Sequence, residues 1–315
     1  SQYTPDVEEA SLDEAYLDLT RCRPLYSSFS RTTLEIKQKV EKELGITVSA
    51  GMGPNKILAK LATSQAKPDG MVEIGPGGEE EFLKNLGIES LPGIGPKAQV
   101  ILRMLNIHKI GDLWGLSRPT LRSLFGLNGE ELYLQSRGID TRPLVTASVP
   151  KSISRETTFL EDIWDRRLLL AHLAYLCDRL TLPLREQGLF AHIIEVKARY
   201  SDFKTEARRC LLLSPLQEMG KIYKIAQELF LQLFSSSRLS LRLVGVKASD
   251  LVSARPLSLF EPYSERPEKL GNAVDQVREK YGFGSLLTAR ERMLDSLYSF
   301  ERKRGFVLKT ASLTK

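Results

Sequence analysis

Two adjacent carboxylates in a short, largely apolar run are the first residues that could do chemistry. The run reads SLDEAYLD over residues 11–18, and it places Asp13 beside Glu14. Its partial alternation of apolar and polar residues predicts a strand over residues 11–20. Neighbouring side chains on a strand point to opposite faces, so one carboxylate is expected to point where burial is costly. Buried carboxylates are usually paired or bound to a metal, whereas a bare Asp-Glu pair is also common as surface acids on an edge strand or turn.

A glycine hairpin provides a second chemical feature. Residues 91–98 read LPGIGPKA, with Gly93 and Gly95 two positions apart and Lys97 beside them. Between two short helices, such a hairpin lets the backbone come close to a phosphate, and its N–H groups face the anion at the start of the second helix. Helix–hairpin–helix contacts of this kind bind DNA without reading its sequence. The alternative interpretation is an ordinary tight turn between helices.

The elements that must position these residues follow from hydrophobic periodicity and turn residues. The N-terminal part is predicted as strand, helix, strand, helix, which is half of a mixed α/β domain, and residues 79–146 are predicted to be helical with short loops. After a linker at 147–150, four strands and two helices predict a small α+β domain. The predicted ranges are strands 11–20, 46–51, 152–159, 191–200, 205–213 and 239–247, and helices 32–44, 55–65, 165–184, 216–234 and 267–281.

Basic residues recur on two of the predicted strands. Lys197 and Arg199 share one face by period two, as do Arg208 and Cys210 on the following strand. A basic sheet face of this kind is a candidate DNA cradle. A solvated sheet face is the alternative for these residues alone.

Composition narrows the class of protein. The 315 residues are 42% hydrophobic and 27% charged, which fits a globular chain of two to three domains. The net charge of +6 is compatible with a polyanionic partner. The three cysteines and three histidines lack disulfide-framework or metal-ligand spacing, so we expect a reducing, cytoplasmic location. No apolar run approaches the about 18 residues of a membrane span, and no membrane partner is expected.

Five motifs in order resemble one family. SLDEAYLD, GMGPNKILAKLATSQAKPDG, LPGIGPKA, LYLQSRGID and PKSISRETTF are similar to motifs of the Y-family translesion DNA polymerases, and nearest to the bacterial DNA polymerase IV (DinB-like) branch. The resemblance covers nearly the whole chain and implies an α+β multidomain protein. Its parts would be a partial palm with a mixed α/β sheet (1–75), a helical thumb with the helix–hairpin–helix (76–146), an α+β little-finger domain that grips the duplex (150–250) and a C-terminal tail (251–315).

The resemblance assigns roles to particular residues. Asp13 would bridge two Mg²⁺ ions, Glu14 would help to hold the metal at the primer end, and Lys67 of KPDG would contact the triphosphate of the incoming dNTP. The implied partner is primer–template DNA. The residues expected to contact it are Gly93, Gly95, Lys97, Lys151, Ser152, Ser154, Arg155, Lys197, Arg199 and Arg208.

Two departures from the family pattern change what is expected. The chain opens just before the family's second metal motif, without the apolar strand that carries a further metal-binding aspartate and without the fingers. We therefore expect this chain alone to bind Mg²⁺ weakly and to be inactive, as a fragment of the polymerase. In the tail, Pro256 replaces the glutamine of a sliding-clamp peptide, although Leu257, Leu259 and Phe260 remain as apolar anchors for a candidate clamp site.

Three functions are weighed on this basis. The leading one is a translesion DNA-directed DNA polymerase that acts in DNA repair by template-directed nucleotidyl transfer. The second is a non-catalytic DNA-binding or scaffold member of the same family. The third is a repair nuclease or glycosylase that uses the helix–hairpin–helix, and it would require a catalytic lysine or aspartate just past the hairpin, where Asp112 lies.

Overall fold

A computed structural model describes residues 2–146, 149–236, 239–253, 266–301, 305–306 and 308. The chain divides into two compact units, Ser1–Ser148 and Val149–Lys315. The first combines small sheets with helices, and the second is built on a four-stranded sheet. The predicted α+β multidomain class is therefore confirmed. The expected division between palm and thumb at residue 75 stays a prediction.

Two small sheets and two helices make up the start of the first unit. Strand β1 (Val7–Glu9) pairs antiparallel with β2 (Ala15–Leu17). After helix α1 (Phe29–Leu44), β3 (Ala50–Met52) is connected through α2 (Lys56–Gln65) to β4 (Met71–Glu73), which pairs with β3 in parallel.

Capping residues fix the ends of both helices. The Ser28 hydroxyl accepts the Arg31 N–H at the start of α1, and Gly45 ends that helix in the left-handed conformation. The Asn55 side chain caps α2 by accepting the Leu58 N–H. The predicted helices are thus confirmed. The predicted strands were too long: only Ala15–Leu17 of 11–20 pair in a ladder, and only Ala50 and Gly51 of 46–51 do, since β3 continues to Met52. Strands β1 and β4 were not predicted.

The rest of the first unit is helical. It contains α3 (Glu79–Lys84), α4 (Pro96–Met104), α5 (Arg118–Phe125) and α6 (Leu127–Gln135). Short 3₁₀ turns at Ile88–Ser90 and Ile110–Gly115 connect them. Their apolar side chains and those of α2 bury one continuous core, and each fully buried Leu or Ile contributes about 1.5–3 kcal/mol. The core includes Ile57, Leu58, Leu61, Leu83, Ile88, Leu102, Ile110, Leu113 and Leu121.

The second unit has one antiparallel sheet covered on one face by two helices. Its elements are β5 (Ser152–Ile163), α7 (Arg166–Glu186), β6 (Phe190–Tyr200), β7 (Thr205–Leu216), α8 (Met219–Ser236) and β8 (Leu241–Val252). The strand order is β5-β8-β6-β7. Alternate residues of each strand pack with α7 and α8 in the core, including Ile194, Val196, Ala198, Val244 and Val246. The opposite face, which the helices do not cover, is called the open face below.

A C-terminal segment adds α9 (Arg266–Tyr281) and a small hairpin of β9 (Phe300–Glu301) and β10 (Gly305–Phe306) to this unit. Arg185 of α7 binds Asp275 of α9 through two hydrogen bonds, at 2.6 and 2.8 Å. Arg278 also forms an ion pair with Asp178 at 2.7 Å. The predicted helix at 267–281 is confirmed. Within the described ranges no helix combines the length and the apolar character needed to cross a bilayer.

Candidate active site and nucleic-acid surfaces

Asp13 and Glu14 lie in the turn that joins β1 to β2. The Ala10 and Ser11 N–H groups both donate to the Glu14 carbonyl, at 2.9 and 3.1 Å, and close this turn. The expectation that both acids lie in a strand, with one pointing into the interior, is wrong. The ladder begins only at Ala15, so the turn leaves both carboxylates exposed to solvent.

Neighbouring cations and hydroxyls favour the ionised form of Asp13. The Ser11 hydroxyl donates to Asp13 Oδ1 at 2.5 Å, and this hydrogen bond is the main reason that the pKa of Asp13 is lowered. The residue's own backbone N–H and the charges of Lys67 and Lys60 lower it further. Asp13 is therefore a carboxylate at neutral pH, with two lysines of the same unit near it.

Glu14 has a direct ionic partner on helix α2. Lys60 Nζ lies 2.6 Å from Glu14 Oε2, and the hydrogen bond raises the pKa of Lys60. One turn earlier on the same helix, Lys56 Nζ contacts both oxygens of Glu8 at 2.6 and 2.7 Å. The two lysines are four residues apart and so share a helix face. Lys60 was not selected from the sequence, although its spacing of four residues from Lys56 could have identified it.

Lys67 lies beyond the end of α2, in the turn before β4. Its side chain is exposed and forms no hydrogen bond or ion pair with any residue that the structure describes. Its charge lies near enough to Asp13 to lower the pKa of that carboxyl group. The arrangement is a small exposed cluster of two carboxylates and two lysines.

The carboxylate pair fits a hard cation. Mg²⁺ takes oxygen ligands and is usually held by one or two carboxylates together with water and substrate phosphates. Asp13 and Glu14 supply such oxygens from adjacent, accessible positions. In the described ranges, no group of three or more His, Cys, Asp and Glu side chains is placed to share a metal. The two carboxylates would therefore need substrate oxygens to complete a site.

The glycine hairpin presents open backbone at the start of α4. Gly93 has φ +91°, which other residues rarely adopt, while Gly95 has φ −81° and is the N-cap, with no side-chain cap. A Cβ at either position would meet no atom within 4 Å. Neither conformation nor crowding within the chain requires glycine at 95, and without a side chain the backbone there is open to the close approach of a ligand. Lys97 is exposed beside it, and Ile94 between the glycines is buried.

The open face of the second unit carries a mixed but mainly basic surface. Lys197 and Arg199 lie on this face of β6, and Lys197 reaches across Gly245 of β8 to form an ion pair with Glu156 of β5. A Cβ at Gly245 would come within 2.8 Å of the Glu156 Cβ, so the glycine leaves room for this pair. The neighbouring polar residues that the register places on the same face are Ser152, Ser154, Glu195, Arg209, Lys247 and Ser249.

Arg208 and Arg155 lie on the helix-covered side of the sheet, which corrects the expected arrangement. Arg208 is opposite the core residue Val196 and reaches Gln232 of α8. Arg155 donates to the Arg179 carbonyl on α7 at 3.3 Å. The residue on the open face of β7 is Arg209, opposite Glu195. Arg209 was not predicted from the sequence, because the alternation of side chains within β7 does not give the register of β7 with β6.

Other candidate residues have structural roles or cannot be placed. Asp112 Oδ2 accepts the N–H groups of His108 and Lys109 at 2.9 and 2.8 Å, so it closes the turn that follows α4, and this lowers its pKa. Lys151 lies exposed just before β5. The clamp residues Leu257, Leu259 and Phe260 are outside the described residues. The three cysteines are free thiols.

Comparisons with known families cover most of the chain. Residues 1–64 match the impB/mucB/samB family, and residues 150–259 match the C-terminal domain of that family. Residues 89–140, which include the glycine hairpin, match the thumb domain of DNA polymerase-iota. The matches follow the order that the five motifs predicted.

Individual relatives agree with these matches. A DNA polymerase IV of Dehalococcoides mccartyi is 37% identical over 298 residues, which is 95% of this chain and 76% of the relative. A DNA polymerase IV of Caulobacter vibrioides is 32% identical over 291 residues, covering 91% of this chain and 72% of the relative. These similarities and the domain matches show that the chain belongs to the Y-family of DNA-directed DNA polymerases. Its relatives within that family are DNA polymerase IV enzymes.

Solved structures of the family share the fold. A Y-family DNA polymerase chimera of Dbh and Dpo4 has a TM-score of 0.70 at 26% identity, with 80% of this chain and 73% of that chain covered. An insertion ternary complex of Dbh DNA polymerase has a TM-score of 0.53, also at 26% identity and with the same coverage. The helix–hairpin–helix thumb and the little-finger-like C-terminal domain expected from the sequence are thus confirmed.

Proposed function

We propose that the polymerase site of this chain is the exposed cluster of Asp13, Glu14 and Lys67, and that it serves translesion synthesis in DNA repair. The observation that carries the proposal is that the exposed Lys67 lies close enough to Asp13 to lower the pKa of that carboxyl group, with Glu14 as the next residue in the same turn. A triphosphate with its metal ions needs both kinds of charge in one place, because carboxylates hold the cation and a lysine contacts the phosphates.

Asp13 and Glu14 would hold Mg²⁺ together with the triphosphate of an incoming dNTP. When bound, two such ions activate the attacking 3′-hydroxyl and stabilise the leaving pyrophosphate. The chain's own residues prepare the site: Ser11 keeps Asp13 ionised and oriented, and Lys60 holds the Glu14 carboxylate on the side of α2. Lys67, which has no ionic partner among the described residues, is available to a phosphate.

Primer–template DNA would be held at two surfaces, one in each unit. In the first unit, Gly93, Gly95 and Lys97 offer uncapped N–H groups and a cation to a backbone phosphate. In the second unit, cations outnumber carboxylates on the open face. The cations are Lys197, Arg199, Arg209 and Lys247, and the carboxylates are Glu156 and Glu195. The Dbh structure described as an insertion ternary complex has a related fold, and we infer the same kind of DNA partner here.

The chain of 315 residues by itself is proposed to extend no primer. Two carboxylates offer fewer metal ligands than two bridged ions need, and no third acidic side chain lies with them in the described parts of the chain. Incorporation of dNTP on a primed template with Mg²⁺ tests this, and no extension is expected. Extension that disappears in Asp13→Ala would overturn the proposed inactivity, although it would support the site.

A non-catalytic family member is the second candidate, and the Glu14–Lys60 ion pair favours it because one carboxylate already has a cationic partner. The two candidates differ in metal binding. A polymerase site takes up a divalent ion with dNTP at Asp13, whereas a scaffold binds DNA alone. A titration of Mn²⁺ with dNTP therefore separates them.

Sliding-clamp binding by the segment around Leu257, Leu259 and Phe260 is proposed on the sequence alone. The apolar anchors would bury area in a groove of the clamp at about 25 cal/mol per Å² before ordering costs. The clamp of the same organism should bind this chain more tightly than a Leu259→Ala/Phe260→Ala variant. Equal binding by both would exclude the segment as the clamp site.

A further inference from the structure

A cavity of about 570 Å³ lies on the helix-covered side of the second unit, opposite the open face. It is formed where α7 begins, against α8 and the residue that precedes a 3₁₀ turn at Glu291–Leu294. Its lining is Asp165, Arg166, Arg167, Leu170, Gln227 and Arg290. Three of these six residues are arginines, and they come from two separate segments of the chain.

The three arginines have no ionic partners among the residues that the structure describes. No ion pair of Arg166, Arg167 or Arg290 with another described residue is present, whereas Arg185, Arg242 and Arg278 of the same unit all bind carboxylates. Asp165 is the one carboxylate in the lining, and its Oδ1 already accepts the Arg167 N–H at 2.8 Å. The cavity therefore concentrates positive charge that the described part of the fold leaves uncompensated.

Aromatic residues lie at both ends of the same stretch of α8. The Arg290 guanidinium lies 5.5 Å from the ring centre of Tyr223, whose buried hydroxyl has no hydrogen-bond partner. Trp164, directly before Asp165, is 52% exposed and lies 5.4 Å from the Phe234 ring. Tyr223, Gln227 and Phe234 follow one another along the helix over about 16 Å, at 1.5 Å per residue. The cavity arginines and an accessible indole thus lie along one face of α8, and this face is called the groove below.

We propose that this groove is a binding site for single-stranded nucleic acid, separate from the open face. The arginines would contact phosphates through their planar N–H forks, and a base would stack on the exposed face of Trp164. The carboxylates of an acidic peptide would pair with the arginines but offer no planar base to stack on the exposed indole. A duplex keeps its bases paired and cannot offer one to Trp164.

The site is tested by the fluorescence of Trp164, which is one of two tryptophans in the chain. The probe is a thymidine 12-mer, and the signal is the difference between the wild-type chain and Trp164→Phe, because the remaining tryptophan, Trp114, contributes to both. We expect the 12-mer to quench Trp164. If three cations contact phosphates, the logarithm of affinity should fall with the logarithm of salt with a slope of about −2.

Charge reversal at the cavity, in Arg166→Glu/Arg290→Glu, should lower the affinity for the 12-mer measured by this quenching titration about tenfold or more. Both side chains are exposed, and circular dichroism verifies that the variant is folded. The matched control, Arg31→Glu/Lys42→Glu on exposed positions of α1, makes the same change in net charge and should leave the titration unchanged. Absence of quenching, equal loss in the control, or no loss in the cavity variant would overturn the proposal. Displacement of the 12-mer by oligoglutamate or by duplex DNA at equal charge would also overturn it.

Discussion

Lys60 Nζ lies 2.6 Å from Glu14 Oε2, so the second carboxylate of the candidate site is joined to helix α2. The pair is partly exposed, with 36% of the lysine side chain and 46% of the glutamate side chain accessible. Exposed ion pairs contribute about 0.2–1 kcal/mol. The interaction is weak enough for a divalent ion to displace, and it holds the Glu14 carboxylate on the side of α2.

Removing the lysine should make a metal ion bind more tightly. In Lys60→Met, Glu14 has no competing cation, and we expect the affinity for Mn²⁺ to rise about two- to fivefold, which corresponds to the free energy of an exposed pair. Electron paramagnetic resonance of free Mn²⁺ measures this. The matched control is Lys56→Met, which removes the neighbouring pair with Glu8. Equal gains in both variants would show a general charge effect and contradict the specific role of Lys60.

The two adjacent arginines of β7 should differ in DNA binding. Arg209 lies on the open face opposite Glu195, whereas Arg208 lies on the helix side opposite Val196. Arg209→Ala should weaken binding of primer–template DNA about three- to tenfold, and Arg208→Ala should change it less than twofold, because only Arg209 can reach a phosphate from that face. Fluorescence anisotropy at fixed salt measures both. A larger loss in Arg208→Ala would place the DNA on the other side of the sheet.

Lys97 should contribute to affinity without affecting sequence preference. It lies exposed beside the open glycine hairpin, where a phosphate can also meet N–H groups of α4. Lys97→Glu is expected to weaken binding of all duplex sequences alike, and to reduce the slope of affinity against salt by about one, as for a lost phosphate contact. Measurements on two unrelated sequences at several salt concentrations provide the test. A loss limited to one sequence would contradict a backbone contact.

The sequence predicted the elements with long periodic patterns and missed those set by tertiary pairing. Helices α1 and α2 and the four long strands of the second unit follow their apolar patterns. Strands β1 and β4 have three residues each, too few for a pattern to identify. Short strands exist because a neighbour completes their hydrogen bonds, and a single sequence does not show that neighbour.

The candidate site was only partly predictable, because contacts between distant parts of the chain decide some of its features. The carboxylate pair and the hairpin glycines were found from residue types and spacing, whereas Lys67 was selected only through the family resemblance. Arg208 was placed on the wrong face because side-chain alternation fixes two faces but not which of them joins the core. The core side is decided by the register with Val196 and by the position of α8. The Glu14–Lys60 contact likewise joins residues 46 positions apart.

Stability of the second unit should depend on the ionisation of Glu291. Burial, with the nearby charge of Asp178, raises the pKa of Glu291 from 4.5 to about 7. Between about pH 5 and pH 7 the Glu291 carboxyl group is thus mainly protonated in the folded protein, while in the unfolded chain it is already ionised. The contribution of the protonated Glu291 carboxyl group to the free energy of unfolding is complete below pH 4.5 and is lost as pH rises through 7. The loss is at most about 3 kcal/mol.

Glu291→Gln removes this dependence. We expect the difference in unfolding free energy between pH 5 and pH 8 to be larger in wild type than in the variant, with the variant the more stable of the two at pH 8. Urea unfolding followed by circular dichroism measures it. Glu268→Gln, at a partly exposed position in the first turn of α9, is the control and should behave like wild type. Parallel pH profiles for wild type and Glu291→Gln would contradict the assignment.

The most direct test of the proposed site is the binding of Mn²⁺ together with dNTP, measured by electron paramagnetic resonance on the 315-residue chain. We expect weak binding that falls about tenfold or more in Asp13→Ala and in Lys67→Ala, because in the proposed site Asp13 would hold the ion and Lys67 would contact the triphosphate. Asp18→Ala is the control, since that carboxylate accepts the Thr20 N–H and lies outside the cluster. Unchanged binding in Asp13→Ala, or an equal loss in Asp18→Ala, would contradict the placement of the polymerase site at Asp13 and Glu14.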